Sequence, residues 1–229
     1  MSTQTFRPDA VFFDLDGTVA DTLVDIAVAL DAARAEHGLE PVADPPRVRT
    51  WIGHGARKLI ARSLGTEDVD AEGVAEIMVT FRRVYRGISG RHSDLYPGMR
   101  EFLADLRARG VKTALTTNKP REATDEFLSQ CGVTELFDAV ATPDDVGGLT
   151  KPSPAMLFLA ARLVDVAPAR CLLIGDGDAD IGGARAAGMP VIAVLGGFGD
   201  PDALRLLSAD AYVERATDAR PLLDAEARG

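Results

Sequence analysis

The stretch AVFFDLDGTVADT, residues 10–22, decides the fold and points to a chemistry. An apolar run leads directly into the acidic turn DLDGT (14–18). A short, nearly continuous apolar run is typical of a strand that is buried on both faces, as in a parallel sheet. Because side chains alternate along a strand, Asp14 and Asp16 should point to the same side. Two carboxylates so placed repel each other unless a cation lies between them, and hard oxygen ligands suit Mg²⁺.

Four further apolar runs have the same character. They are VKTALTT (111–117), FDAVAT (137–142), RCLLIGD (170–176) and MPVIAVLGG (189–197). Helical patterns alternate with them near 98–109, 120–131, from 154 onward and 178–187, and most of these open at proline and close at glycine. This alternation predicts an α/β fold with a doubly wound, Rossmann-like parallel sheet, whose ligands bind at the carboxyl ends of the strands.

Residues 19–94 break this alternation. Period counting predicts four helical stretches, near 21–37, 45–52, 55–64 and 70–88, and no strand is evident among them. We therefore predict a small helical cap domain at 19–94, inserted after the first strand, and a catalytic core domain formed by 1–18 and 95–229.

A second acidic segment, LLIGDGDADIGGA (172–184), repeats the geometry of the first. Parallel strands end at the same edge of a sheet, so Asp176 could reach the same cation as Asp14. Asp180 should lie in the first turn of the following helix, where the helix dipole favours an acid. Asp180 is therefore open to two interpretations, a helix cap and a member of the metal site.

Polar residues at two other positions complete a candidate phosphate site. Thr117 and Asn118 follow the strand at 111–117 and precede a helix, and a hydroxyl with helix-terminal N–H groups can bind an anion. Lys151, in LTKPSPAM, precedes a helix start at Pro152 and Pro154, and these prolines should give it a rigid base. We expect these residues to bind phosphate, with Thr116 as the alternative source of the hydroxyl.

Composition and charge exclude several other classes of protein. The chain has 229 residues and a formal net charge of −10, with 35 acidic against 25 basic side chains. Such a charge repels nucleic acid and anionic membranes, and no apolar run approaches the ~20 residues of a membrane span. Two isolated cysteines and no secretory signal indicate a cytoplasmic protein, either a monomer or a homodimer, with a small phosphorylated metabolite as its partner.

These segments, in this order, resemble the haloacid dehalogenase superfamily of phosphotransferases. The helical insertion after the first strand resembles the helical cap of that family. The phrases VRTWIGHGARKLI (48–60), LYPGMREFLADL (95–106) and ALTTNKP (114–120) are similar to those of the bacterial phosphoglycolate phosphatases.

The resemblance implies a specific chemistry. Asp14 would attack phosphorus and form an aspartyl-phosphate, while Asp16 would protonate the leaving oxygen and later activate water. Thr117 and Lys151 would hold the phosphoryl oxygens. Asp14, Asp16 through its backbone carbonyl, and Asp176 would bind Mg²⁺.

The chain departs from the family in its fourth motif, which commonly reads Gly-Asp-Ser and here reads GDGD (175–178). The additional carboxylate, Asp178, either strengthens Mg²⁺ binding or faces solvent.

Selectivity should come from the cap, because the core site can bind any phosphate. In the cap we expect Gly53, His54, Gly55 and Arg57 to bind a substrate carboxylate, such as that of glycolate; the alternative is a capping turn with Arg57 in solvent. The predicted reaction is the hydrolysis of 2-phosphoglycolate to glycolate and phosphate. Alternatives are a phosphatase for a sugar phosphate, nucleotide or pyrophosphate, a phosphomutase, and a catalytically inactive binding module.

Overall fold

The secondary structure alternates between strands and helices outside one helical insertion. The computed structural model describes residues 5–223. In chain order the strands are β1 (Ala10–Phe13), β2 (Ala20–Asp21), β3 (Asp94–Leu95), β4 (Lys112–Thr116), β5 (Ala139–Ala141), β6 (Cys171–Gly175), β7 (Val191–Val194) and β8 (Ala211–Val213). The helices are α1 (Leu23–Glu36), α2 (Pro45–Arg49), α3 (Ala56–Ser63), α4 (Val74–Ile88), α5 (Met99–Ala108), α6 (Arg121–Gln130), α7 (Ala155–Leu163), α8 (Asp178–Ala187) and α9 (Pro201–Leu206).

Six strands form one parallel sheet in the order β5-β4-β1-β6-β7-β8. Phe13 of β1 lies opposite Leu115 of β4 and Ile174 of β6. The three central strands therefore end at the same level. The residues that follow them emerge together at one edge of the sheet, as is usual for ligand sites in open parallel sheets.

Both faces of the sheet are covered by helices, which is why its strands are apolar throughout. Val11 and Phe13 pack into the cluster that contains α5 and α6, whereas Phe12 packs into the cluster that contains α7 and α8. Alternate side chains of β1 thus pack into two separate apolar layers, one on each face of the sheet. The predicted doubly wound, Rossmann-like α/β fold is confirmed.

The segment predicted to be a cap contains α1 to α4, which share an apolar cluster of their own. Leu30, Ile60 and Phe81 are buried in it. Helix α4 begins at Val74 rather than near residue 70, because Gly73 precedes it with a φ of 84°, outside the right-handed helical region. The predicted domain limits at 19 and 94 stay a prediction, and residues 1–4 and 224–229 of the proposed core lie outside the described residues.

Two short strands correct the expectation that 19–94 contains none. Strands β2 and β3 pair antiparallel, with Ala20 opposite Leu95, where the chain leaves and rejoins the core sheet. Each strand has two residues, which is too short to produce a recognisable apolar alternation. Within residues 5–223, no helix combines the length and the apolar character needed to cross a membrane.

Candidate active site

A buried ion pair lies at the carboxyl end of β1. The Lys151 ammonium is 2.8 Å from Oδ1 of Asp14 and 2.6 Å from Oδ1 of Asp180. It also donates to the Thr116 carbonyl at 2.6 Å, so its three N–H groups all have acceptors. Only 2% of Lys151 is exposed. This side chain is therefore held in a fixed position beside Asp14.

Three buried carboxylates converge at the same place. Asp14, Asp176 and Asp180 each offer one oxygen, and these oxygens lie within 4.8 Å of one another. Burial and the neighbouring carboxylates raise the pKa of Asp14 to about 8, and the Lys151 charge offsets only part of that. Burial and Asp180 likewise raise the pKa of Asp176 to about 6. Clustered hard oxygen donors with excess negative charge fit a divalent cation such as Mg²⁺.

Asp176 is held by two hydrogen bonds and by the absence of a side chain at Gly17. The Thr18 hydroxyl donates to Asp176 Oδ1 at 2.7 Å, and the Phe198 N–H donates to Oδ2 at 2.6 Å. Gly17 has a φ of 88°, and a Cβ there would lie 2.3 Å from Asp176 Oδ2. The glycine of the DLDGT turn is therefore needed both for its backbone conformation and for the approach of Asp176.

Asp180 caps a helix and also lies in the carboxylate cluster. Its Oδ2 accepts the Gly177 N–H at 2.9 Å, which caps the first turn of α8. Its Oδ1 accepts from Lys151, and the residue belongs to the carboxylate cluster. The helix cap thereby fixes a carboxylate next to the ammonium of Lys151.

Asp16 lies beside a second buried lysine. Its Oδ1 accepts from the Thr22 hydroxyl at 2.6 Å and from the Lys119 ammonium at 2.9 Å. Lys119 is 3% exposed, and its ammonium also donates to the hydroxyl of Tyr85, which belongs to α4. Sequence reasoning missed Thr22, Lys119 and Tyr85. Lys119 could have been found, because it follows β4 in the same run as Thr117, in ALTTNKP.

The residues after β4 divide into different environments. Thr117 contributes to a cavity next to Asp14, whereas the Thr116 hydroxyl is buried and has no hydrogen-bond partner within residues 5–223. The Asn118 side chain accepts the Lys151 N–H at 2.7 Å and donates to the Gly53 carbonyl at 2.8 Å. The Asn118 amide thus joins the base of Lys151 to the cap.

Two cavities meet at Asp14 and Asp16. The first, here called the cap cavity, has a volume of about 40 Å³. It is lined by Asp14, Asp16, Ile26, Ile52, Gly53, Gly55, Ala56, Leu59, Phe81, Tyr85, Thr117, Asn118, Lys119 and Pro120. Apart from the two aspartates and the residues after β4, its wall comes from the cap helices and is mainly apolar.

The second cavity, here called the acidic cleft, has a volume of about 500 Å³. It is lined by Asp14, Asp16, Arg49, Thr50, Ile52, Gly53, His54, Asp176, Gly177, Asp178, Asp180, Phe198, Gly199, Asp200, Pro201, Ala203 and Leu204. The carboxylate cluster opens into this cleft, which is large enough to admit a phosphorylated metabolite.

The cap residues predicted to bind substrate are dispersed. Gly53 and Gly55 line the cap cavity. His54 lies in the acidic cleft, where its Nε2 is 3.2 Å from Asp178, and this contact lowers the pKa of the Asp178 carboxyl. The Asp178 side chain is 60% exposed. The additional carboxylate of the fourth motif thus lies at the surface of the cleft and contacts His54 of the predicted cap. The Arg57 guanidinium lies 3.3 Å from Asp70, outside the described lining of both cavities.

Comparison with known proteins identifies the family. A model of the haloacid dehalogenase-like hydrolases matches residues 8–188, which include all four segments of the site. The chain belongs to the haloacid dehalogenase-like hydrolase family. The prediction of a haloacid dehalogenase-type enzyme that resembles the phosphoglycolate phosphatases is confirmed.

Relatives of this family match over almost the whole chain. The plasmid phosphoglycolate phosphatase of Cupriavidus necator is 35% identical, covering 100% of this chain and 98% of that protein. An N-acetylmuramic acid 6-phosphate phosphatase of Pseudomonas putida is 34% identical, covering 95% and 97%. A crystal structure of a candidate phosphoglycolate phosphatase from Lactobacillus delbrueckii subsp. bulgaricus has a TM-score of 0.86 and 26% identity, covering 96% and 100%. Relatives with different substrates are thus equally similar to this chain.

Proposed function

We propose that the protein is a Mg²⁺-dependent phosphomonoester hydrolase that acts through an aspartyl-phosphate on Asp14. The observation that carries this proposal is the fixed arrangement of Asp14 between the Lys151 ammonium and the carboxylates of Asp176 and Asp180. A carboxylate nucleophile that attacks an anionic phosphate needs positive charge on both sides of the reacting group. Lys151 supplies part of that charge, and the carboxylate cluster would bind the remainder as a cation.

In the first half-reaction, an Asp14 oxygen forms a bond to phosphorus as the bond from phosphorus to the ester oxygen breaks. Asp16 gives its proton to the departing oxygen, so the alcohol leaves in neutral form. The Thr117 hydroxyl and the Lys151 ammonium hold the phosphoryl oxygens during the transfer. Hydrogen bonds from Thr22 and Lys119 fix the orientation of Asp16 for this proton transfer.

In the second half-reaction, Asp16 takes a proton from a water molecule, whose oxygen attacks phosphorus. The bond between phosphorus and the Asp14 oxygen breaks. Inorganic phosphate is released, and Asp14 is a free carboxylate again. Asp16 is then protonated and ready for the next ester. Two displacements by well-positioned groups thereby replace one direct attack by water.

The metal would be held by Asp14, Asp176 and the backbone carbonyl of Asp16, with Asp180 fixing Lys151 at its side. When bound, Mg²⁺ supplies positive charge that the transferring phosphoryl group needs. It would also lower the pKa of Asp14, whose raised value otherwise disfavours the ionised nucleophile.

The proposed substrate is 2-phosphoglycolate. The cap cavity beside Asp16 has a volume of about 40 Å³, against about 500 Å³ for the acidic cleft. A short leaving group such as glycolate suits the smaller space better than a sugar ring does. The similarity to the phosphatase of Cupriavidus necator supports the same substrate.

N-acetylmuramic acid 6-phosphate is the second candidate, because the phosphatase of Pseudomonas putida is almost equally similar to this chain. Its bulkier sugar suits the acidic cleft, whose volume is about 500 Å³, better than the cap cavity. The two candidates therefore differ in the cavity that receives the leaving group.

The test is a phosphate-release screen with Mg²⁺ and then with excess chelator. The panel includes 2-phosphoglycolate, N-acetylmuramic acid 6-phosphate, a hexose phosphate, a nucleotide and pyrophosphate, and Asp14→Asn serves as the matched inactive variant. We expect the highest kcat/KM for 2-phosphoglycolate and loss of release on chelation. Comparable values for 2-phosphoglycolate and the sugar phosphates would refute the substrate. No release from any compound would favour a binding module.

A further inference from the structure

Lys119 is a buried cation at the boundary between core and cap. It follows β4, and its ammonium contacts Asp16 at 2.9 Å and the Tyr85 hydroxyl. The ammonium also lies 4.3 Å from the centre of the Tyr85 ring. Burial of an ammonium is unfavourable unless partners compensate for the lost water. A lysine that only filled space at this position would therefore destabilise the fold through the desolvation of its ammonium.

The described partners do not use all the donors of this ammonium. A lysine ammonium has three N–H groups, and within residues 5–223 two acceptors are present, Asp16 and the Tyr85 oxygen. The Lys151 ammonium, by contrast, has three acceptors. Because Lys119 lines the cap cavity, its remaining N–H is available to a molecule that occupies this space.

Charge in the cap cavity comes from very few residues. Of the described residues that line it, Lys119 is the only one with a basic side chain. Ile52, Leu59 and Phe81 also line this cavity, and their side chains offer no polar atom to a ligand. Among the described lining residues, Lys119 therefore has the only side chain that could pair with a negative charge on the leaving group.

The position of Asp16 relates this charge to the substrate. In the proposed reaction, Asp16 protonates the ester oxygen, so that oxygen lies within hydrogen-bond distance of the Asp16 carboxyl. In 2-phosphoglycolate a single methylene group separates that oxygen from the carboxylate. A donor 2.9 Å from Asp16 is thus close enough to contact the substrate carboxylate as well.

We propose that Lys119 is a specificity-determining residue that binds the carboxylate of the leaving group. On this basis the enzyme selects alkyl phosphates whose carboxylate is attached directly to the carbon that bears the ester oxygen. This inference rests on the proposed phosphatase function and deepens it by assigning the substrate class to one side chain. Gly53 and Gly55 remain neighbours of the ligand through the backbone, and Arg57 is not among the described residues that line this cavity.

The test compares 2-phosphoglycolate with its neutral carboxamide analogue, phosphoglycolamide. For each variant we measure kcat/KM on both compounds and take the ratio. Lys119→Met should lower this ratio by about 10-fold to 100-fold, the usual effect of a lost hydrogen bond to a charged group. Lys119→Arg should retain part of the preference. The matched control is Lys112→Met, a half-exposed lysine at the other end of the same strand, which should leave the ratio unchanged.

A ratio that stays constant in Lys119→Met, with both values reduced alike, would overturn the inference and show that Lys119 acts only on Asp16. A wild-type enzyme that hydrolyses both compounds equally well would also overturn it, while the phosphatase function would stand. Absence of hydrolysis of either compound by the wild type would instead refute the proposed function.

Binding measurements keep the test decisive if Lys119→Met has no turnover. Calorimetric titration of both compounds into Asp14→Asn, with and without Lys119→Met, gives the same ratio from Kd values. We expect the double variant to lose its preference for the carboxylate compound. Equal weakening for both compounds, with circular dichroism unchanged, would contradict the assignment.

Discussion

The acidic cleft and the cap cavity share Asp14 and Asp16 but differ in what builds their walls. On the cleft side, Asp176 and Asp180 follow strand β6, and buried hydrogen bonds fix each of them. On the cap side, helices α1, α3 and α4 supply mainly apolar side chains, and Lys119 is the one basic residue among the described lining. The difference favours a division of labour: the carboxylates at the sheet edge would carry the proposed reaction, and the cavity between Lys119 and the helical insertion would determine which ester is accepted.

Substitution of the nucleophile should have the largest effect and should be independent of substrate. Asp14→Asn preserves the shape of the side chain but removes the nucleophilic carboxylate. We expect kcat to fall by about 10⁴-fold or more, as is typical when a covalent nucleophile is removed. Phosphate release from 2-phosphoglycolate and from an aryl phosphate measures it.

If Asp14→Asn impaired one substrate much more than the other, the division between reaction and selectivity would be broken. Circular dichroism of the same sample provides the control for folding. The Lys151 ammonium keeps Asp180 as its counter-charge in this variant, so the protein is expected to remain folded.

Removal of Lys151 should affect both activity and stability. Lys151→Met leaves Asp14 and Asp180 buried without their counter-charge, and breaking a buried ion pair in this way costs about 3–5 kcal/mol. The free energy of unfolding is obtained from urea titrations. Activity should fall by about 10³-fold, the loss expected when a charged contact to the transition state is removed.

Lys112→Met is the matched control for stability. Its ammonium is half-exposed and lies 3.5 Å from Asp138, so its removal should change the free energy of unfolding by less than about 1 kcal/mol. Equal losses for the two variants would mean that the buried network at the sheet edge contributes no more than a surface ion pair.

The carboxylate cluster should make both stability and metal affinity depend on pH. In the folded protein the pKa of Asp14 is raised to about 8 and that of Asp176 to about 6. Between the ordinary aspartate pKa and these values, the folded state binds more protons than the unfolded state. Stability of the metal-free protein should therefore decrease as pH rises through this window, and the contribution of these groups should level off above about pH 8.

Mg²⁺ should counteract this loss. Since the cation binds the ionised carboxylates, each proton released on binding changes the apparent affinity by about tenfold per pH unit. The shift in Tm caused by Mg²⁺ should be larger near pH 8 than below pH 6. Asp14→Asn should show a weaker dependence. A Mg²⁺-induced shift that is independent of pH would contradict the cluster as the binding site.

The same division explains which features could be predicted from the sequence. Asp14 and Asp176 come directly after strands with local apolar patterns, and parallel register alone brings strand ends to one edge. The contact of Lys119 with Tyr85 depends instead on how α4 packs over that edge, which no short-range pattern encodes. Strand β2 was missed because two residues show no periodicity.

Arg57 illustrates the same limit. Its position two residues after Gly55 left two interpretations open, a charge directed at the ligand and a side chain in solvent. The guanidinium lies 3.3 Å from Asp70 in the segment that follows α3. The direction of a long, half-exposed side chain depends on tertiary neighbours. Prediction from sequence was thus strongest where the backbone itself carries the functional group to its place.

The contact between His54 and Asp178 should have the smallest effect, because it joins core and cap at the surface. The two groups are 3.2 Å apart, with 34% and 60% of their side chains exposed. Exposed ion pairs contribute about 0.2–1 kcal/mol, so Asp178→Asn should change kcat/KM for 2-phosphoglycolate by at most about fivefold. Steady-state kinetics should show this change mainly in KM, since the contact helps to hold the cap against the core.

Asp200→Asn is the matched control, because it removes a charge from the same cleft while asparagine can still cap α9. If Asp178→Asn lowered kcat/KM as much as Lys151→Met does, while Asp200→Asn left kcat/KM unchanged, Asp178 would belong to the metal site. The charged residues that take part in the reaction would then include one at the surface of the cleft. The cap, through His54, would contact the catalytic centre itself rather than a separate cavity that determines selectivity.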